Sequence, residues 1–268
     1  LAYVLAALVV LPAALSKAEM ATAMPESGGT YLYIDRALGP LFGTIAGIGA
    51  WFSLVFKSSF ALVGLGAYLL LFAPISQGAV VYVALVLGAL VVALNVSGTK
   101  MSGQIQAVIV SLVVAGLLGY VVNAGFVVDT ARYAPFAADG SRGVVTAAAF
   151  VFVSYAGVTK VASVAEEVKE PGKNLPRAML GSMGIMTVLY VSVVGAIIGL
   201  SDPNVLNTGG PGGTASLTPM ADGAGALLGG AGVLFISVIA VVALTSMANA
   251  GVLSSSRFPL AMSRDDLL

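Results

Sequence analysis

Three sets of residues in this chain could do chemistry inside apolar surroundings. The run Val144–Val153 meets Ser154-Tyr155-Ala156-Gly157 and resumes through Val158–Val168. A small, polar, glycine-containing break in an apolar helix is costly in lipid, because every freed N–H or C=O must find a partner without bulk water. Such a break persists where the freed groups bind a substrate or coupling ion, or where the helix bends for packing. Ser154 adds a hydroxyl there, and Tyr155 a ring that either shields a pocket or packs. Two lysines, Lys57 and Lys160, also fall inside apolar runs, where a cation is rare and functional by default. Snorkelling to an interface is the alternative, easier for Lys160 than for Lys57 near the middle of its run. At least one is expected to exchange a proton or pair with a substrate carboxylate. The third set is Thr245, Ser246 and Asn249 in the last apolar run.

These residues must be positioned by membrane spans. The chain has 268 residues, 59% apolar and 9% charged, with a mean hydropathy of +1.02. A soluble domain is about 45–50% apolar and about 25% charged, so the composition specifies an all-α, polytopic membrane protein forming a single transmembrane domain. The formal net charge is zero and no basic run points to nucleic acid. Without Cys or His there are no disulfides, no usual zinc sites and no histidine base. No nucleophile–base pair stands out, and neither enzyme nor resident cofactor is expected. The first residue already lies in an apolar segment and there is no initiator Met, so the chain reads as a fragment of something longer.

Spans of about 20 apolar residues are needed to cross a bilayer. Seven stretches qualify: 1–23, 41–73, 79–97, 103–123, 143–165, 178–200 and 226–256. Between them lie a polar stretch 24–40, a tight Pro-containing turn 74–78, a short link 98–102, a charged loop 124–142, a proline-flanked hinge 166–177 and a Gly/Pro/Asn-rich loop 201–225. One side collects Lys17, Arg36, Lys100, Lys169, Lys173, Arg177, Arg257 and Arg264, the other only Arg132 and Arg142. By the positive-inside rule the first span begins outside and the chain end is cytoplasmic. Glycines recur through the spans, Gly43, Gly47 and Gly49, Gly64 and Gly66, Gly181 and Gly184, Gly195 and Gly199, as close helix packing allows.

Glu166 and Glu167 then sit at the cytoplasmic mouth, with Glu19 and Glu26 on the same side. They either form a solvated helix end, with pairs worth about 0–1 kcal/mol each, or an inner gate whose salt bridges exchange.

Three stretches resemble the amino acid–polyamine–organocation (APC) permeases. Ser154-Tyr155-Ala156-Gly157 with Ala165-Glu166-Glu167-Val168-Lys169-Glu170-Pro171 and Asn174-Leu175-Pro176-Arg177 is similar to that family's sixth helix and following loop. Met24-Pro25-Glu26-Ser27-Gly28-Gly29-Thr30-Tyr31 with Gly39-Pro40 resembles the loop after the second helix. Ser256-Arg257 to Ala261-Met262-Ser263-Arg264-Asp265 resembles the end of the eighth. The resemblance implies a partial leucine-transporter-type fold of inverted repeats covering the second to eighth helices, with the first helix and those after the eighth absent. It implies a helix at 143–168 broken at the substrate site, with Ser154 to Gly157 as half of the cradle. It also allows Ser246 and Asn249 to line a cation site.

The resemblance implies an amino acid transporter working by alternating access, with the membrane lipid as surroundings and a proton or sodium as possible coupling ion, in symport or exchange. Two departures narrow it. Many members carry a lysine in the fifth helix where this chain has Ser111, and many carry an acid two places after the break's glycine, where this chain has Thr159 and then Lys160. Neutral or acidic amino acids therefore fit better than cationic ones. A pore-type channel would want a polar stripe along several helices, and a seven-span receptor or retinal protein would want a lysine in the last span, which is lacking.

Overall fold

The computed structural model describes residues 1–71, 77–96, 99–137, 139–209, 213 and 215–266, the side chains of 77–78, 99–103, 159 and 203 excepted. Most of the turn expected at 74–78 lies outside the described residues. All regular structure among them is helical: α1 Ala2–Ala23, α2 Thr30–Leu38, α3 Pro40–Leu69, α4 Gln77–Val96, α5 Thr99–Gly125, α6 Gly140–Val151, α7 Pro171–Leu200, α8 Pro203–Thr208 and α9 Pro219–Arg264. Short 3-10 winding covers Thr130–Tyr133, and a long 3-10 stretch, the tight segment below, runs Phe152–Glu167 directly from α6. With α6 and the tight segment counted as one, seven helices among the described residues are long and apolar enough to cross a membrane. The chain is a polytopic all-α membrane protein.

The spans begin and end where local chemistry puts them, with two corrections to the expected boundaries. The hinge read as 166–177 shrinks to Val168–Glu170, because Pro171 opens α7 and Pro176 follows within it. A proline at the first helical position lacks only an N–H that had no helical partner, so it starts the helix and does not block it. The polar stretch 24–40 holds the nine-residue α2, whose last turn carries Arg36. The last span is longer than expected and is bent at Gly229, whose φ of 61° interrupts the helical backbone.

The chain divides into two compact units. The first comprises Leu1–Phe56, Ala137–Val191 and Leu253–Leu268, the second Lys57–Phe136 and Ser192–Val252.

In the first unit one core gathers Tyr31, Leu32 and Tyr33 of α2 with Leu175, Phe258 and Met262. The double glycine of the 24–31 motif explains how α2 reaches it. Gly28 has φ 116° and a Cβ there would stand 2.6 Å from Ala261 Cβ, while Gly29 has φ 51° and faces the Ser163 backbone at 3.3 Å. Only glycine adopts these angles without strain and admits that approach. Gly28 N donates to the Ser163 carbonyl oxygen at 3.5 Å, tying the loop to the tight segment. A second core packs Tyr155 and Met183 against Ala6, Ala7, Val10 and Ala14 of α1.

In the second unit Tyr120, Leu200 and Ile236 form the core. Gly66 and Gly116 admit Val80 and Ile239 respectively, and a Cβ at either would overlap them. Close packing thus accounts for Gly47 and Gly66 among the recurring glycines, whereas a Cβ at Gly49, Gly181, Gly184 or Gly195 meets no described atom within 4 Å.

Candidate substrate site and gate

The break expected at Ser154–Gly157 is a change of winding, not an unwound loop. The backbone passes from α6 into the tight segment at Phe152 and keeps 3-10 winding to Glu167, with one non-helical residue, Val164 (φ −114°, ψ 22°). Such winding is uncommon beyond 3–4 residues and marks strained or functional stretches. At three residues per turn, positions i and i+3 eclipse, and this sequence sorts itself at that period. Ser154, Gly157, Lys160, Ser163 and Glu166 form one row, Phe152, Tyr155, Val158, Val161 and Val164 another. At 100° per residue the polar row would spread around most of the circumference. The Ser163 hydroxyl donates to the Lys160 carbonyl oxygen at 2.8 Å, a bond across the same three-residue step.

The four break residues divide between two environments. Tyr155 is fully buried and packs, with its ring 5.6 Å from Tyr190 and 6.5 Å from Tyr3. Its hydroxyl donates to the Tyr3 carbonyl oxygen at 3.1 Å and lies at the same distance from Thr187 Oγ1. The Tyr190 hydroxyl donates to the Ser154 carbonyl oxygen at 3.4 Å. Tyr155 is therefore the clamp between the tight segment, α1 and α7. Ala156 turns the other way, onto a cavity of about 220 Å³ shared with Lys160, Ser163, Lys17, Thr30 and Ser53. A Cβ at Gly157 would meet no described atom within 4 Å.

Lys160 is half-buried on the cavity wall, while Lys57 is half-buried in α3 and belongs to the second unit. Lys17 entered the sequence reading only as a topology marker; its place on the cavity wall was not anticipated.

Ser246 and Asn249 are each 5% exposed and engaged in a carboxamide network. Asn95 Nδ2 donates to Asn249 Oδ1 at 2.7 Å, Asn249 Nδ2 to Gln106 Oε1 at 3.0 Å, and Gln106 Nε2 to Ser246 Oγ at 2.6 Å. The chain of bonds joins α4, α5 and α9. Gln106 and Asn95 were missed in the sequence, although a carboxamide in an apolar run is itself a signal of an interhelical partner.

At the end of the tight segment the expected acids have found cations. Glu166 accepts from Arg264 Nη1 at 3.0 Å, and Glu167 from Arg257 Nη2. Arg257 is the less exposed arginine, at 16% against 54% for Arg264. Glu19 lies exposed on α1, outside these pairs. A third link anchors the same end of α9: the buried Tyr31 donates to Asp265 Oδ2 at 2.7 Å, and Arg36 stands 3.8 Å from the other oxygen. Burial, then the Asp265 carboxylate beside it, pushes the Tyr31 phenol well above its ordinary range.

Comparison with known proteins agrees with this architecture. The family model described as amino acid permease matches residues 1–268. The chain is 30% identical over 284 residues to the methylthioribose transporter of Bacillus subtilis, covering 100% of this chain and 60% of that protein. It is 32% identical over 220 residues to the branched-chain amino acid permease BcaP of the same organism, covering 75% of this chain and 47% of that one. It is 32% identical over 212 residues to cationic amino acid transporter 5 of Arabidopsis thaliana, at 71% and 36% coverage. The chain thus spans about half the length of the curated relatives it matches.

Proposed function

We propose, from the premise that this chain belongs to the amino acid permease family, that it is the part of a secondary active transporter that carries one wall of the substrate site and one gate. The observation that carries this reading is the tight segment, which places Ala156, Lys160 and Ser163 together on one cavity. A helix wound at three residues per turn in lipid leaves strained, misaligned amides and carbonyls, and these are the groups that hold a zwitterion in discontinuous-helix sites. The substrate is a neutral or acidic amino acid, bound partly by backbone at Ser154 to Gly157 and by the lysine one turn on. Lys160, or Lys57 in the other unit, pairs with the carboxylate or with a coupled proton. Ser246 and Asn249 remain candidates for a sodium site through their oxygens.

The orientation follows the distribution of basic residues, with the first span beginning outside and the end of α9 cytoplasmic. Glu166 and Glu167, with Arg264 and Arg257, then form the inner gate, whose pairs open as the cycle turns. Tyr155 fixes the tight segment to α1 and α7 while the other rows remain available to substrate.

Reconstitution of the intact permease in liposomes tests the reading. Saturable, stereoselective uptake of L-amino acids is expected, with Gly157→Leu abolishing it by filling the open space beside the polar row. Non-saturable flux that does not distinguish enantiomers would make the protein a pore, and full uptake by Gly157→Leu would remove the cradle assignment.

A further inference from the structure

The cavity beside Ala156 has an apolar side as well as a polar one. On the polar side, Lys17 and Lys160 each have partners within the protein, so neither is an uncommitted cation. The apolar side is built by Ala50 and Leu54 of α3 and by Phe258 of α9. Ala50 and Leu54 are four residues apart and so lie on one face of their helix. Phe258 is 4% exposed and belongs to the buried core that also holds Leu175 and Met262, and Ala50 and Leu54 pack against that same core. The apolar side of the cavity is therefore an edge of the core. Arg257, the preceding residue, pairs with Glu167 of the tight segment, which holds this turn of α9 in place.

Resting on the proposed transport function, we infer that Phe258 is a specificity-determining residue of the substrate cavity, and that with Ala50 and Leu54 it seats an apolar side chain of the substrate. A hydrocarbon side chain placed there extends the core and leaves water, gaining free energy in proportion to the apolar area it buries. A carboxamide of the same shape gives up its water at that wall, and the side chains of Ala50, Leu54 and Phe258 return no hydrogen bond for it. Size is set by the same residues. Ala50 contributes a single methyl and Phe258 a whole ring, so bulk added at position 50 shortens the seat and loss of the ring deepens it. Apolar pockets of this kind discriminate by roughly 10- to 200-fold per methylene.

The test uses the intact permease, with L-alanine, L-leucine, L-asparagine and L-phenylalanine as probes for both equilibrium binding and uptake in liposomes. Leucine is expected to bind at least about tenfold more tightly than asparagine, which has nearly its shape. Phe258→Ala should raise the affinity for phenylalanine relative to leucine by about fivefold or more, as the seat deepens. Ala50→Leu fills the seat from α3, so it should weaken leucine at least about tenfold while leaving alanine within about twofold. A loss of packing alone moves all the affinities of a variant by the same factor, and that result overturns the inference. Should neither variant fold, the comparison of leucine with asparagine on the unaltered protein still decides, and equal affinity for the two overturns the inference. Saturable asparagine uptake that leucine does not inhibit sinks the apolar seat and leaves the transport reading standing. Absence of saturable uptake for every amino acid removes both.

Discussion

Tyr31 and Asp265, 234 residues apart in sequence, are joined by a hydrogen bond of 2.7 Å at the end of α9. The phenol is completely buried and its acceptor is a carboxylate, so the bond belongs to the stronger class, worth about 1.5–3 kcal/mol. Tyr31→Phe is expected to lower the stability of the detergent-solubilised protein by about that amount. In a cycle with Asp265→Asn the two losses should not add, which thermal unfolding of the four proteins will show.

The Glu167–Arg257 pair makes a different prediction because one partner is largely sheltered. If it opens and closes with transport, Glu167→Arg should slow uptake about tenfold, equivalent to about 1.4 kcal/mol on the barrier. The exchanged pair Glu167→Arg with Arg257→Glu should recover part of the rate. Uptake by the single variant equal to that of the unaltered protein would reduce the pair to a surface contact.

Gly28 and Gly29 are predicted to tolerate no side chain. Alanine at either must adopt a positive φ, and at Gly28 it also meets Ala261 Cβ. The expected cost is about 1–3 kcal/mol each, read as a lowered melting temperature, with more rapid proteolysis of the loop 24–29.

The carboxamide network joins three helices through Gln106 and Asn249. Replacing Gln106 with Leu should cost about 0.6–2 kcal/mol, the range for interhelical hydrogen bonds in membranes. Ser246→Ala separates a structural role from an ionic one. Sodium-stimulated uptake lost in that variant assigns a cation site, and uptake indifferent to sodium assigns packing alone.

Alkaline stability carries a signature of α2. Burial pushes the Tyr33 phenol up to about 12 from its ordinary 10.0. The folded protein therefore holds this proton where the unfolded chain has lost it. The resulting contribution is complete below pH about 10 and is lost as the pH rises through about 12. A titration followed by tyrosinate absorbance should show late ionisation, and Tyr33→Phe should remove that part of the alkaline transition.

Much of the architecture was legible because apolar run length is a strong signal in lipid. The expected 1–23, 79–97 and 103–123 correspond closely to α1, α4 and α5. The proline-flanked hinge expected at 166–177 is shorter in the structure, because Pro171 occupies the one helical position where proline is at home. At the site, the break at Ser154–Gly157 was visible but its form was not. At the α-helical period of 100° per residue Ser154, Lys160 and Glu166 do not share a face. Read every third residue, they do. Lys17, Arg257 and Arg264 were counted for topology, since nothing local in their segments says which distant acid or cavity they meet. Gln106 was legible in principle, as a lone carboxamide within an apolar stretch.

The tight segment also stores length. A 3-10 turn rises about 2.0 Å per residue and an α-turn about 1.5 Å, so the 16 residues from Phe152 to Glu167 hold roughly 8 Å in reserve. Rewinding them as α-helix would draw the two glutamates toward Phe152 and screw the polar row around its axis by about 20° per residue. Release of the two glutamates from their arginines and dispersal of the polar row would then be a single corkscrew motion, with no separate hinge between them.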